Sequence, residues 1–378
     1  MEFNWFLPTY GDGRNIVSTD RTGRTDDGHL HARIRESDPY YLVQLARAAE
    51  QAGFSGVLLP TGFGSEDTFV TTASVAQETR TLEFIIAFRA GLTLPAVTAQ
   101  MTGTLQRATG GRVRLNITTG GSPADQRAYG DFLDHDDRYR RTDDFLTVLD
   151  LLWRGEPFEH RGPYFRSIVE RPVDHGPRPT VYFAGSSDIA KDIAARHADV
   201  YLMYGEPPPV IRTRVAEMRE RAAAYGRTLR FGVFMHVITR ETEREAFAEA
   251  ARHLDTMTPE AVAAAQRTLK AMDSVGQARV RDLHGGRRGT VEDLLVHPNV
   301  WAGIGLVRGG GGTALLGSHA QVAERIEEYA DAGLDTLILN GYPALEEAYR
   351  VGELVLPRVG GAARPQPRSE TLAQAASS

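Results

Sequence analysis

The residues most able to bind a ligand include a single arginine followed by four glycines. Arg308 precedes Gly309–Gly312, and the residues on both sides of this stretch are mainly apolar. Glycine lets a backbone adopt positive φ and approach a ligand closely, and arginine is a permanent cation that donates hydrogen bonds to anions. The pattern indicates a lid that closes on an anion. Glycine content alone favours a flexible linker, but the apolar flanks require burial and argue against a fully solvated one.

Two consecutive serines lie where a phosphate could bind. Ser186 and Ser187 follow an apolar strand and precede a helix, and the free N–H groups at a helix N-terminus attract anions. Ser187 or Asp188 could instead be a simple N-cap, a role that both residue types favour. On this motif alone the two interpretations remain equal.

Titratable side chains in apolar surroundings are the candidates for proton transfer. His236 lies inside the apolar stretch Arg230–Thr239, so its ring faces either a barrel lumen or the surrounding helices. A lumen-facing ionisable group would be a functional candidate. Tyr342 could supply a phenol or could only pack. His135 with Tyr139 could bind a ligand, although a lone histidine is more often structural.

The composition excludes other kinds of chemistry and of partner. The chain has no cysteine, which excludes disulfides, thiolate metal sites and a cysteine nucleophile. His29 and His31 form the one close histidine pair, but they lie in a long polar loop, so no metal is expected. No Gly-x-Ser-x-Gly motif supports a serine hydrolase. The net charge of −6 argues against nucleic-acid binding. No membrane span or signal peptide is evident, so we expect a cytoplasmic protein.

An alternation of strands and helices must position these candidates. Apolar segments bounded by turns predict about eight strands. They lie at Glu2–Pro8, Gly56–Pro60, Leu82–Phe88, Arg112–Thr118, Thr180–Phe183, Val200–Met203, Arg230–Thr239 and Thr336–Leu339. Alternation with helices predicts a parallel sheet, and eight such units favour an α/β fold, a (β/α)₈ TIM barrel with insertions. The doubly wound alternative expects a Gly-x-Gly-x-x-Gly motif that Pro8–Gly13 lacks.

Active sites of such barrels lie at the C-terminal ends of the strands. This rule selects Tyr10, Ser65, Phe88, Arg89, Asn116–Gly121, Ser186, Ser187, Tyr204, Glu206, His236 and Tyr342. We expect a single barrel domain over residues 1–359, with a helical insertion and a mobile loop at about 253–317 and no strand within His253–Val300. Residues 360–378 are rich in Gly, Ala, Pro and Ser and are expected to form a flexible tail.

A series of short motifs resembles the two-component, FMNH₂-dependent alkanesulfonate monooxygenases of the bacterial luciferase-like superfamily. The motifs are Trp5–Thr9, Leu59–Gly62, Glu66–Asp67, Phe132–His135 with Tyr139, Tyr182–Asp188, Gly205–Pro208, Asp273–Gln277, Trp301–Gly310, Gly341–Pro343 and Glu346–Leu354. They occur in one order through nearly the whole chain, which makes the superfamily assignment specific.

This resemblance implies a TIM barrel that takes reduced FMN from a separate NAD(P)H-dependent flavin reductase and uses O₂. It implies oxygenation, through a flavin–oxygen adduct, of the carbon next to a sulfonate, with release of sulfite and an aldehyde. It also suggests a homo-oligomer, a dimer or a tetramer. The matching positions divide by role. The FMN phosphate region matches His135, Tyr139, Ser186 and Ser187, the flavin ring region matches Asn116, Thr118 and Thr119, and the catalytic group matches His236, Tyr342 and Arg308.

The sequence departs from the family pattern around the substrate. Ser65 replaces a typical Cys, Tyr10 a His, Tyr204 a Trp and Ala344 a His, while Phe234 replaces an Arg that could bind the sulfonate. We therefore assign Tyr10, Ser65, Tyr204 and Phe234 to the substrate site. The alternatives are the same flavin chemistry on a sulfur- or nitrogen-containing molecule that is not a sulfonate, an F420-dependent oxidoreductase, and a flavin-binding protein without catalysis.

Overall fold

The structure is a computed structural model that describes residues 1–17 and 35–360. Its strands are β1 Glu2–Phe6, β2 Gly56–Leu59, β3 Glu83–Arg89, β4 Val113–Thr118, β5 Phe158–Arg161, β6 Arg166–Val169, β7 Val181–Ala184, β8 Val200–Tyr204, β9 Arg230–Arg240, β10 Leu295–His297, β11 Val300–Trp301, β12 Ala314–Ser318 and β13 Thr336–Asn340. Its helices are α1 Pro39–Gln51, α2 Thr68–Val75, α3 Pro95–Thr109, α4 Pro123–Ala128, α5 His135–Arg154, α6 Asp188–His197, α7 Pro208–Ala223, α8 Glu243–Asp255, α9 Pro259–Lys270, α10 Val275–His284, α11 His319–Asp331 and α12 Ala344–Leu354.

Eight parallel strands close into a barrel, as predicted. The order around the ring is β1, β2, β3, β4, β7, β8, β9 and β13, and β13 pairs with β1 to complete it. These are the eight strands that the sequence predicts. Strands such as β3 are apolar along nearly their whole length because helices cover the outer face while side chains fill the inner one. The fold is therefore the α/β TIM barrel of the prediction.

The long strand β9 carries the barrel into an insertion. Its first half pairs with β8 and β13, whereas its second half, from His236 to Arg240, pairs in parallel with β12. Side chains alternate along a strand, so Phe234 and His236 face the same side, which is the interior. The ring of His236 therefore faces the barrel lumen and not the surrounding helices.

The insertion between α8 and β12 contains strands as well as helices. The prediction of no strand within His253–Val300 is wrong, because β10 and β11 form an antiparallel pair there, followed by pairing of β11 with β12. Asn299 makes the connecting turn with a φ of 60°. Strands of three and two residues are too short to show an alternating pattern in the sequence. The helix α4 and the hairpin of β5 and β6 were also not predicted.

The loop after β1 is tied to the N-terminus of α12. Asp12 accepts hydrogen bonds from the N–H groups of Ala344 and Gly13, at 3.0 and 2.8 Å, and from the Tyr41 hydroxyl. Burial raises the pKa of Asp12, whereas these hydrogen bonds favour its ionised form. Because Tyr342 lies two residues before Ala344, the contact fixes the position of this tyrosine.

Some predictions concern residues outside the described part of the chain. These are the pair His29 and His31, most of the loop between Arg14 and Asp38, and the tail from residue 361 to residue 378. Within residues 1–17 and 35–360, no helix is both long and apolar enough to span a bilayer.

Candidate active site

A hollow opens at the C-terminal ends of the barrel strands, where the barrel rule places an active site. It consists of two chambers with cavity volumes of about 300 and 310 Å³. The wall between them is common to both and consists of Thr61, Thr118, Ala184, Leu202, Met203 and Tyr204. The chambers are therefore adjacent halves of one site.

The first half, here called the anion chamber, receives the N-termini of two helices. Ser186 lies before α6, and Ser274 and Gly276 lie at the start of α10; all three line the chamber. Gly276 passes so close to Ser186 that a Cβ there would lie 3.2 Å from the serine Oγ. Ser187 is the N-cap residue of α6, yet its side chain makes no capping hydrogen bond. Its buried Oγ lies near the Tyr139 phenol but forms no hydrogen bond of normal geometry with any described residue. The site therefore favours the anion-binding interpretation of the serine pair.

A cation that the sequence interpretation did not include lies behind the wall of this chamber, in contact with Ser186, which lines it. Arg279, on the first turns of α10, donates a hydrogen bond of 2.7 Å to the Ser186 Oγ. Its Nε lies 3.7 Å from Glu206, which Arg214 holds by two hydrogen bonds of 2.7 and 2.8 Å. Burial lowers the pKa of Arg279, against the attraction of Glu206. Arg279 follows the motif Asp273–Gln277 by two residues, which is the one signal the sequence offers for it.

Residues predicted for a phosphate line the same chamber. His135 and Tyr139 lie one helical turn apart at the start of α5, with ring centroids 4.9 Å apart. Burial raises the pKa of Tyr139, and the hydroxyls of Thr119 and Ser187 oppose this rise. Arg138, which is 3 % exposed, donates to Asp273 at 2.5 Å. This ion pair joins α5 to the start of α10, so the two sides of the anion chamber are fixed to each other.

Five aromatic rings line the other half, here called the aromatic chamber. In spatial order, this aromatic belt consists of Tyr10, Phe6, Phe234, His236 and Tyr342. Successive ring centroids are 6.0, 5.1, 5.4 and 5.4 Å apart. The pairs Phe6–Phe234 and His236–Tyr342 are stacked, with interplanar angles of 17° and 16°. Each pair stabilises this arrangement by about 0.5–1.5 kcal/mol beyond its buried area.

Arg308 closes the belt. Its guanidinium lies 5.7 Å from the ring centroid of Tyr10 and 5.6 Å from that of Tyr342, over both rings. Its Nε donates to the Ile16 carbonyl at 2.9 Å. The two rings at the ends of the belt are therefore joined through one cation, which also faces the chamber.

The glycine loop packs against this chamber and does not have the solvated surroundings of a linker. Gly310 has a φ of 85° and donates to the Gln277 Oε1 at 2.8 Å. A Cβ on Gly311 would lie 2.8 Å from the Phe234 carbonyl oxygen, so only glycine fits there. The loop thereby contacts both the belt and α10. Its mobility remains a prediction.

Burial keeps His236 and Tyr342 in the aromatic chamber uncharged. It lowers the pKa of His236 to about 3, with a further contribution from the positive charge of Arg308. It raises the pKa of Tyr342, against the effect of Arg308. The His236 Nδ1, the Tyr342 hydroxyl and the Asn116 Oδ1 are buried, and none of them has a hydrogen-bond partner within the described ranges. These three neutral groups are available to a ligand.

The structure brings most of the predicted site residues together. The anion chamber contains Thr119, His135, Tyr139 and Ser186, and the aromatic chamber contains Tyr10, Asn116, Phe234, His236, Arg308 and Tyr342, with Thr118 and Tyr204 in the common wall. Ser187 lies beside the anion chamber at the start of α6. Ser65 lies in a turn with its N–H on the Gly62 carbonyl, and it is not among the residues that line either chamber. Its proposed contact with substrate therefore gains no support from the structure.

The fold and this site place the protein in a known class. Residues 1–336 match the family model of the luciferase-like monooxygenases, so the chain belongs to that family, whose members are flavin-dependent monooxygenases.

Three solved structures illustrate the range of proteins with this fold. A riboflavin lyase, solved with modified FMN and the substrate riboflavin, has a TM-score of 0.79 and 23 % identity, over 97 % of this chain and 94 % of that one. The EDTA monooxygenase from Chelativorans sp. BNC1 has a TM-score of 0.72 and 22 % identity, over 94 % and 93 %. A long-chain alkane monooxygenase has a TM-score of 0.74 and 20 % identity, over 94 % and 90 %. Such identities establish the common fold alone.

Proposed function

We propose that the protein is the oxygenase of a two-component system that uses FMNH₂ and O₂ to oxygenate an organosulfonate, with release of sulfite and an aldehyde. The observation that carries the proposal is that an anion chamber lies next to an aromatic chamber. Among the described residues that line the aromatic chamber, Arg308 is the one permanent cation. A separate NAD(P)H-dependent flavin reductase would supply the reduced flavin. We further propose a homo-oligomer and a cytoplasmic location.

The residues present fit FMN. The buried Ser187 Oγ, the two helix N-termini and Arg279 together offer hydrogen bonds and positive charge to a phosphate. Asn116 and Thr118 would lie beside the flavin ring, and Tyr204 would contact it from the common wall. When bound, reduced FMN supplies the electrons that activate O₂ for oxygenation.

The chain itself would bind the substrate, hold protons and exclude water. Arg308 carries the charge that suits a sulfonate, and the loop after it would cover the bound ligands. His236, neutral at physiological pH because its pKa is about 3, can donate or accept a hydrogen bond without adding charge. Tyr342 keeps its phenol proton because burial raises its pKa, so its hydroxyl can donate to an oxygen that develops negative charge.

A related activity differs only in the substrate. Phe234 occupies the belt where the family resemblance expects a second cation, and its ring offers no hydrogen bond to a sulfonate. A charge-assisted hydrogen bond contributes about 1.5–3 kcal/mol, so a sulfonate would be held less strongly here. This observation favours, as the second candidate, the same chemistry on a sulfur- or nitrogen-containing molecule that is not a sulfonate.

The test begins with binding and continues with turnover. Titration of the protein with FMN, followed by flavin fluorescence, should give saturable binding. With a flavin reductase, NADH and O₂, a panel of sulfonates should then yield sulfite in proportion to the substrate consumed. Arg308→Met and Tyr342→Phe should reduce this yield at least tenfold, whereas the surface change Arg140→Met should not.

Each contrary result identifies a different alternative. Substrate consumption with reduced F420, without O₂, would assign the protein to deazaflavin-dependent hydride transfer. A third result would be that FMN binds while His236→Ala and Arg308→Ala leave every activity assay unchanged. This result would indicate a flavin-binding protein that does not catalyse a reaction at this site. Oxygenation without sulfite from any sulfonate would leave the second candidate.

A further inference from the structure

We propose that the aromatic chamber selects a single-ring aromatic anion, in which one methylene group joins the ring to a sulfonate. The inference rests on the proposed function and specifies its substrate class. The aromatic ring would lie against the aromatic belt, and the sulfonate would lie at Arg308. The inference is carried by a continuous wall of five rings whose end rings, Tyr10 and Tyr342, both lie beneath the guanidinium of Arg308.

The belt is suited to a flat, unsaturated ring. Phe234 lies at its centre, stacked on Phe6 at 5.1 Å and in contact with His236 at 5.4 Å. Apolar side chains, Leu58 and Pro60 among them, complete the walls. Aromatic rings attract one another in stacked and edge-to-face arrangements, an attraction that a saturated ring of similar size does not share. The belt therefore distinguishes an aromatic substrate from an aliphatic one of equal charge.

The size and the charge of the chamber define the rest of the substrate. Its volume of about 310 Å³ is at the lower end of the ~300–1,000 Å³ typical of small-molecule sites. The flavin ring proposed beside Asn116 and Thr118 would take part of this space, so the remainder favours a substrate with one ring. Among its described lining residues Arg308 is the one permanent cation, and no carboxylate is present. The guanidinium can donate hydrogen bonds to one sulfonate, whereas a second negative charge in the chamber would meet no further cation among the described lining residues. The remaining polar groups, on Asn116, His236 and Tyr342, are neutral.

The orientation of such a substrate follows from the two ends of the belt. Arg308 lies over the rings of Tyr10 and Tyr342, so an anion that it binds lies at this end of the chamber, beside the two tyrosines. The methylene carbon between ring and sulfonate would then lie between the belt and the wall common to both chambers. That carbon is the one to be oxygenated, which places the reacting atom next to the neutral donors His236 and Tyr342.

The reaction of the simplest such molecule balances. Phenylmethanesulfonate, FMNH₂ and O₂ would give benzaldehyde, sulfite, FMN, water and one proton. One oxygen atom enters at the methylene carbon, a C–H bond and the C–S bond break, and sulfite leaves with the electron pair of the C–S bond. The second oxygen atom is reduced to water with the electrons of FMNH₂.

The experiment compares three sulfonates of equal charge. Dissociation constants for phenylmethanesulfonate, cyclohexylmethanesulfonate and ethanesulfonate are measured by calorimetry on the protein loaded with oxidised FMN. Phenylmethanesulfonate should bind about 2- to 13-fold more tightly than its cyclohexyl analogue, the range that one aromatic pair supplies. Phe234→Leu should remove this preference. Phe132→Leu, at a residue that is 77 % exposed, should leave it unchanged.

A second variant keeps the test valid if Phe234→Leu does not fold. Tyr10→Leu removes a ring at the end of the belt and should also reduce the preference for the aromatic sulfonate. The inference is overturned if the wild-type protein binds the cyclohexyl compound as tightly as the phenyl compound, or if both variants keep the original preference.

Failure of the proposed function and failure of the aromatic selection give different experimental results. If FMN does not bind, or if no sulfonate yields sulfite, the proposed function fails and the substrate class fails with it. If FMN binds and sulfite is released equally well from ethanesulfonate and from phenylmethanesulfonate, the proposed function stands and only the aromatic selection is refuted.

Discussion

Replacement of His236 should make the protein less sensitive to mild acid. The ring is 3 % exposed, and burial lowers its pKa from 6.5 to about 3. Between these two pH values the unfolded chain binds a proton that the folded chain does not bind, so stability falls as the pH falls. From pH 7 to pH 5 the loss due to this one residue is about 2 kcal/mol. His236→Gln, which cannot be protonated, should remove that loss.

The measurement is chemical denaturation at pH 7, 6 and 5 for the wild type and the variant. The free energy of unfolding of the variant should fall by about 2 kcal/mol less over this range. His175→Gln, at a partly exposed histidine in the loop before β7, is the matched control. A His236→Gln protein with the same loss between pH 7 and pH 5 as the wild type would refute the reasoning, because it would mean that His236 is protonated in the folded state.

Three further changes test the contacts around the site. Arg279→Gln should raise the dissociation constant for FMN about 10- to 150-fold in a fluorescence titration, through loss of a charge-assisted hydrogen bond; the exposed Arg140→Gln is its control, and equal affinities would contradict the phosphate role. Gln277→Leu removes the acceptor that holds the glycine loop, so trypsin should cleave after Arg308 about tenfold faster, and an unchanged rate would show that the loop does not depend on this bond. Asp12→Ala removes the buried acceptor at the start of α12 and should lower the unfolding free energy by about 1–3 kcal/mol; an unshifted denaturation midpoint would argue against this.

The barrel was predictable because its strands are covered on both faces. A strand such as β9 is a continuous apolar run bounded by polar turns, and its predicted end at Thr239 lies one residue from the observed end at Arg240. The alternation of such runs with helices leaves few topologies. The rule that sites lie at strand ends then finds His236 and Tyr342 without knowledge of their contacts.

Contacts between distant segments were not predictable in the same way. Arg279 is separated by 93 residues from its partner Ser186, and only the packing of the insertion against the barrel brings them together. Ser65 shows a second effect of local packing: it follows β2 in sequence, but it lies in a turn with its N–H on the Gly62 carbonyl and is not among the residues that line either chamber. Strand order restricts where a loop begins, whereas side-chain packing decides where it goes.

The start of helix α10 lines the anion chamber and also holds the glycine loop beside the aromatic chamber, and this connects anion binding with the loop. The start of α10 lines the anion chamber through Ser274 and Gly276, and Gln277 on the same turn accepts the hydrogen bond from Gly310. Because a helix is rigid over one turn, an anion that draws the N-terminus of α10 inward also fixes the acceptor that holds the loop. We therefore expect the loop to be held most firmly when an anion fills the anion chamber. Exclusion of water from the aromatic chamber would then depend on whether the anion chamber is occupied.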